Sequence, residues 1–287
     1  SYHLIYHALN IGPGDEVIIP SFFTQAPLNA LNLMRGKPVL VDCSDNSIFP
    51  DIEEIKKKIS SKTKGIVIGH LFGYQFNFDE LLDCNVPIIE DISHSINSFQ
   101  NDIPENTNST FSVISFDSSM IITTGSGGMA ITNNSKLYSV MREMRGVTDE
   151  YTKLDYNMTD FQGAMGISQL LKLNGFLKRR REIAKIYHNS LKLTDHKSLY
   201  TFNDKFAYQT FPVLFNASLE KINKYWRKNR IEATRPIKYP LHSIIGEDKS
   251  QYANCERMSK KLLSLPLYPT LTRKEIEKIS KSLSNFI

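Results

Sequence analysis

The sequence has no lysine and no arginine between Gly65 and Asn134, although the whole chain carries 35 basic against 30 acidic residues. That gap withholds amines and guanidiniums from a stretch that holds Asp79, Glu90, Asp91 and Asp117. Long apolar runs are missing too. None approaches the roughly 20 residues that span a bilayer, and the start at Ser1 has no signal-peptide pattern. Cysteine is scarce. Cys43, Cys84 and Cys255 lie far apart with no metal-ligand spacing, so neither a disulfide framework nor a metal site is expected, and the chain reads as cytoplasmic. The net charge of +5 gathers after Ser135, as in KRRREIAK from Lys178 to Lys185. Nucleic-acid binding would want such residues interleaved with aromatics on one face. Here Lys178 to Arg181 read as the solvated side of a helix, and no nucleic-acid partner is expected.

What is present is ordinary for a globular protein: 41% hydrophobic and 23% charged residues in a chain of 287, enough for one large domain and a smaller one. Short apolar runs alternate with helical patterns through the first 135 residues. EVII, KPVLVD, KGIVIGHL, VPIIED, FSVISF and GGMAIT read as six strands. The segments from Leu4, around TQAPLNALNLM, around DIEEIKKKIS and around FDELLD read as helices. Continuous apolar strands separated by helices indicate a largely parallel sheet covered on both faces. From Ser135 the pattern becomes helical. SKLYSVMREMRG is one helix, and a long one begins near Thr159 and continues past Arg181 with a bend. The tail mixes a strand, YQTFPVLF, with helices over residues 219–229 and 273–286. The expected division is a large domain over 1–165, then a linking helix and small domain over 166–287.

Ligands of open parallel sheets bind beyond the carboxyl ends of the strands. Polar residues stand at four such ends: Ser21, His70, Glu90-Asp91 and Ser115. Asp91 needs a cationic or hydrogen-bonding partner if it is buried; as a helix cap it reads equally well. His94, alone, reads as a core histidine. The turn Gly125-Ser126-Gly127-Gly128 suits either an anion cradle or a plain hairpin.

Taken together, NIGPGDEVIIPSF, KPVLVD, IEDISHS, ITTGSGGMAITN, YNMTDFQGAMGISQL, RPIKYPLH and LLSLPLYPTLTRKEIEKI resemble the DegT/DnrJ/StrS-type nucleotide-sugar aminotransferases over nearly the whole chain. The resemblance implies the type I fold of pyridoxal-phosphate (PLP) transferases: a mostly parallel α/β sheet with a smaller C-terminal α/β domain. It implies that Asp91 pairs with the pyridinium nitrogen, that His94 lies beside the cofactor ring or its phenolic oxygen, that Ser115 donates to the phosphate and that Asn157 reaches the phosphate of a neighbouring subunit.

The departures from the family pattern are specific. Met120 stands at the position of the Schiff-base lysine, and a thioether cannot form an imine or move a proton. No shift of register supplies a lysine. Ser126 replaces the usual acid of the glycine turn, and Thr24 replaces the ring-stacking aromatic. The chain also enters the family pattern late, without the Ser-Gly-Thr turn that offers backbone N–H groups to phosphate. The expectation is therefore a pseudoenzyme or partner subunit in nucleotide-sugar or surface-polysaccharide biosynthesis. It would form a homodimer or pair with an active paralogue, with PLP or pyridoxamine phosphate (PMP) bound noncovalently or absent. The alternatives are a dehydratase-like enzyme using the cofactor noncovalently, as in relatives with His at the lysine position, and a nucleotide-sugar binding protein.

Overall fold

Strand alternation divides the apolar residues of the main sheet between two cores. The computed structural model describes residues 1–96, 108–145 and 156–286. Six strands form the main sheet: β1 (Glu16–Pro20), β2 (Lys37–Val41), β3 (Thr63–Gly69), β4 (Ile88–Asp91), β5 (Phe111–Ser115) and β6 (Gly128–Ile131), in the order β2-β1-β3-β4-β5-β6. The first five are parallel, and β6 returns antiparallel to β5. Successive side chains point to opposite faces of a sheet. Val17, Ile19, Val67, Ile89 and Val113 accordingly join the larger core. Ile18, Ile66, Ile68 and Ile88 join a second one on the other face. Both faces are thus covered, as a parallel sheet requires.

The covering helices follow from sequence. On one face α1 (Tyr2–Ala8) and α2 (Ala26–Leu33) bury Ile5, Tyr6, Leu28 and Leu31 in the larger core. On the other, α3 (Ile52–Lys58) buries Ile55 and is capped by Asp51, whose carboxylate accepts the Glu54 N–H. After β6 comes α4 (Ser135–Met144). Then α5 (Asp160–Leu170) opens with a capping box between Thr159 and Gln162. The expected long helix is broken at Leu171-Lys172, and α6 (Leu173–Leu191) continues it. The expected division at residue 165 falls inside α5, and the larger core runs on to Phe286.

The C-terminal part is a three-stranded antiparallel sheet, β7 (Lys197–Ser198), β8 (Phe211–Leu214) and β9 (Leu262–Leu265), with α7 (Leu219–Lys228), α8 (Leu241–Ile245), α9 (Ala253–Lys261) and α10 (Arg273–Ser284). The strand and the helices expected over 219–229 and 273–286 are there; α8, α9 and β9 were not expected. The reading of Lys178 to Arg181 as a solvated face is corrected. Arg180 is buried, and its guanidinium donates to the carbonyls of Tyr208, Gln209 and Leu267. It stitches α6 to the second sheet, and burial lowers its pKa to about 10.

The cysteines also depart from expectation. Cys43 and Cys255 meet with their sulfurs 3.4 Å apart. Beside them Asp42 accepts the backbone N–H groups of Cys43 and Cys255 on one oxygen and that of Asn254 on the other. Asp42, Cys43 and Cys255 come close enough together to be considered as metal ligands. The carboxylate, however, already serves as a backbone clamp between β2 and α9.

His188 on α6 is wedged among the rings of Phe202, Tyr208 and Phe211, and its Nε2 has no hydrogen-bond partner among the described residues. Burial lowers its pKa from 6.5 to about 4. The unfolded chain then binds more protons than the fold below pH 6.5, so the contribution of a neutral His188 is lost as pH falls from 6.5 towards 4. We expect the melting temperature to drop over that interval and the drop to be smaller in His188→Gln. An equal drop in both, measured by calorimetry, would show that His188 does not contribute.

Candidate functional site

The carboxyl ends of β3, β4 and β5 open into one cavity of about 800 Å³. Asp91 closes β4. Its partner in register on β3 is Gly69, and its neighbour on β5 is Val113. Gly69 is required there because the Phe23 ring lies over it: a Cβ at Gly69 would come within 2.4 Å of that ring and 3.4 Å of the Asp91 Cβ. Asp91 does not cap a helix among the described residues. One oxygen accepts the Ser93 N–H at 2.9 Å, and the other accepts the Tyr2 hydroxyl at 2.8 Å. Burial and the adjacent carboxylate hold the Tyr2 phenol well above its ordinary pKa, so it stays a donor.

His94 lies one turn beyond, its ring stacked on Phe72 with centroids 6.0 Å apart. The Phe72 N–H donates to Nδ1, which leaves the proton of the neutral ring on Nε2. Burial lowers the His94 pKa, against the opposing pull of Asp91. The Ser115 N–H donates to Ser93 Oγ, and Ser115 Oγ accepts from the Asp117 N–H, so the Ser115 hydroxyl proton is available to a ligand. Asp91, His94, Ser115 and Met120 all line the cavity. Asn157 does not, although Tyr156 and Met158 on either side do. It is exposed, and its amide faces the Arg145 carbonyl at 3.5 Å.

The glycine turn takes the hairpin role and also borders the cavity. It closes the β5–β6 hairpin, and Ser126, Gly127 and Gly128 also form cavity wall. Gly127 sits at φ 146°, where an added Cβ would come within 3.0 Å of Thr124 and Met158. The Gln162 amide donates to the Ser126 carbonyl and docks the turn on the start of α5. Asp117 is drawn below the usual carboxylate range by the N–H and hydroxyl of Ser119.

His70, buried at the end of β3, accepts the Phe76 N–H on Nδ1 and donates through Nε2 to Glu90 at 2.7 Å. A separate chain has the order hydroxyl, imidazole, carboxylate. Ser21 Oγ is 2.7 Å from His242 Nδ1, and His242 Nε2 is 3.2 Å from Glu256. Ser21 and His242 are wholly buried and lie outside the cavity lining. This chain is a bridge from β1 to α8, not a nucleophile.

Two residues missed in the sequence are Arg142 and Arg145, which reach the cavity from α4. Their Arg-x-x-Arg spacing on an amphipathic helix was the available signal.

Fold and cavity together define a type I PLP-transferase-like α/β protein. The chain belongs to the DegT/DnrJ/EryC1/StrS aminotransferase family, whose match runs over residues 1–284. It is 30% identical over 303 residues to the GDP-perosamine synthase of Escherichia coli O157:H7, covering 99% of this chain and 82% of that one. The GDP-perosamine synthase of Vibrio cholerae is 27% identical over 308 residues, covering 99% and 83%. Among solved structures, the aminotransferase TlmJ of Streptoalloteichus hindustanus matches with TM-score 0.88 at 24% identity, covering 99% and 82%. The PMP form of the putative sugar aminotransferase Spr1654 of Streptococcus pneumoniae matches with TM-score 0.88 at 22% identity, covering 99% and 83%. No helix among the described residues is long and apolar enough to cross a membrane.

Replacing Gly69 by Ala tests the close approach at β3. The clash with a buried ring should cost about 1–3 kcal/mol, read as a lower urea midpoint with unchanged slope. A neutral substitution would mean that Phe23 moves freely.

Proposed function

We propose that this chain is an aminotransferase-fold protein of nucleotide-sugar metabolism that holds its ligands without covalent attachment and does not transaminate by itself. In this reading it partners an active relative in surface-polysaccharide or deoxysugar biosynthesis. The observation that carries the reading is the cavity wall. Met120 stands in it, and no lysine lines it among the described residues. The names of its relatives, GDP-perosamine synthases and sugar aminotransferases, support the nucleotide-sugar setting.

The remaining residues suit a noncovalent PLP or PMP. When bound, the cofactor supplies an electron sink through its protonated ring. Asp91 would hold the ring nitrogen, sharing its carboxylate with Tyr2; His94 would flank the ring and Ser115 would donate to the phosphate. The alternative, an active dehydratase-like enzyme, needs a substitute base. His94 presents an N–H on Nε2 because Phe72 occupies Nδ1, and Asp117 is made a weaker base by Ser119. Both observations favour the binding role.

After incubation with PLP and borohydride reduction, peptide mapping should find no site-specific pyridoxyl-lysine. Met120→Lys alone should not produce amino transfer to a keto-sugar nucleotide, because Thr24 and Ser126 remain and catalytic groups act as a unit. Either a pyridoxyl-lysine in the native protein or transamination by the variant would overturn the proposal.

Self-association belongs to the same reading, with Asn157 as the residue that would complete a partner's site. Ser21 to Phe23, at the cavity end of β1, are core residues and offer no pairing surface. The support comes from α5, which has no buried residue; Phe161, Ile167, Leu170 and Leu171 around it are each more than half exposed. A second copy would cover them. Sedimentation equilibrium should give twice the 32.8 kDa chain mass, and Phe161→Glu with Leu171→Glu should shift it towards the monomer. A native protein at the single-chain mass would remove the cross-subunit role of Asn157.

A further inference from the structure

One face of α4 differs from the rest of the cavity wall. Tyr138, Met141, Arg142 and Arg145 stand at i, i+3, i+4 and i+7, and so share one side of the helix. All four line the cavity. Met141 is buried in the larger core and anchors that side, while Tyr138 and both arginines remain exposed. Neither guanidinium has an ion-pair or hydrogen-bond partner among the described residues.

The cavity's own carboxylates are already engaged. Asp91 is held by Tyr2 and the Ser93 N–H, and Asp117 by the N–H and hydroxyl of Ser119. Among the described residues the two arginines are therefore cations with no opposing charge on a concave wall. A favourable interaction with the C-terminal end of the helix dipole explains a base in the last turn. It does not explain why both side chains belong to the cavity face. Paired guanidiniums match the charge and the several acceptor oxygens of a phosphoryl dianion better than a single carboxylate. The volume of about 800 Å³ lies in the upper part of the range for ligand pockets, and so admits a phosphorylated ligand with a substantial organic body.

We propose that Arg142 and Arg145 form the seat of a phosphoryl group, carried by PLP or by a nucleoside diphosphate. The proposal rests on the ligand-holding half of the reading above and not on the absence of transamination.

The test is equilibrium binding of two pairs of probes, PLP against pyridoxal and GDP against guanosine, to the native protein and to the double variant Arg142→Gln/Arg145→Gln. Circular dichroism and melting temperature confirm that the variant folds; a variant that does not fold is replaced by Arg142→Lys/Arg145→Lys, which should retain the charge and weaken binding less. In at least one pair, the native protein should bind the phosphorylated member more tightly, with an affinity that falls as salt rises. The Gln variant should lose about tenfold or more for that member, roughly 1.4 kcal/mol, and keep its affinity for the other. The pair that shows this difference identifies the source of the phosphoryl group. Unchanged binding of the phosphorylated probes, equal losses within each pair, or no binding of any probe by the native protein at millimolar concentration would overturn the seat. A native protein that transaminates would overturn the proposed function and leave the seat standing.

Discussion

The cavity depends on where β4 stops. Its last residue is a carboxylate at the edge of an apolar sheet, where an unpartnered charge is costly. The parallel register sets Gly69 on one side of it and Val113 on the other. The missing side chain at Gly69 admits the Phe23 ring, the Ser93 N–H and the Tyr2 phenol satisfy the two oxygens, and Ser93 in turn accepts the Ser115 N–H. The ends of three strands and the first helix are thereby fixed around one group. A change at Asp91 would disturb the wall and the ligand surface at once.

Much of this was legible because parallel strands leave a direct trace. Buried on both faces, they read as unbroken runs such as VPIIE and KGIVIG, and the residue where the run turns polar marks the cavity. Asp91, His94, Ser115 and Met120 were singled out in this way or through the family pattern, and all four line the one cavity. Short elements without such a trace were lost. Leu262–Leu265 is only four residues long and follows directly on α9, and α8 is five residues after a proline. Arg180 was misread because a basic run signals solvent in sequence, whereas three backbone carbonyls receive its guanidinium inside the protein.

The charge of the cavity was misread for a related reason. The segment that builds its floor has no lysine or arginine, and a reading confined to that segment finds only carboxylates. The fold brings α4 back beside α1, and α4 carries its arginines with it. The site thus combines a floor without lysine or arginine with a rim that carries two guanidiniums. On the reading proposed above, covalent chemistry and anion capture are separable in such a site.

The Asp42 clamp has a consequence for the order in which the chain folds. Its carboxylate accepts N–H groups more than two hundred residues further along, at Asn254 and Cys255. During synthesis β1, β2 and β3 emerge long before those donors exist, so the end of β2 stays hydrated until α9 arrives. Closing so long a loop is entropically slow. The main sheet can assemble early, but its outer strand is locked only when the last quarter of the chain docks. Nascent chains halted before Asn254 should therefore carry a loose β2 edge, the kind of unprotected strand that invites wrong pairing.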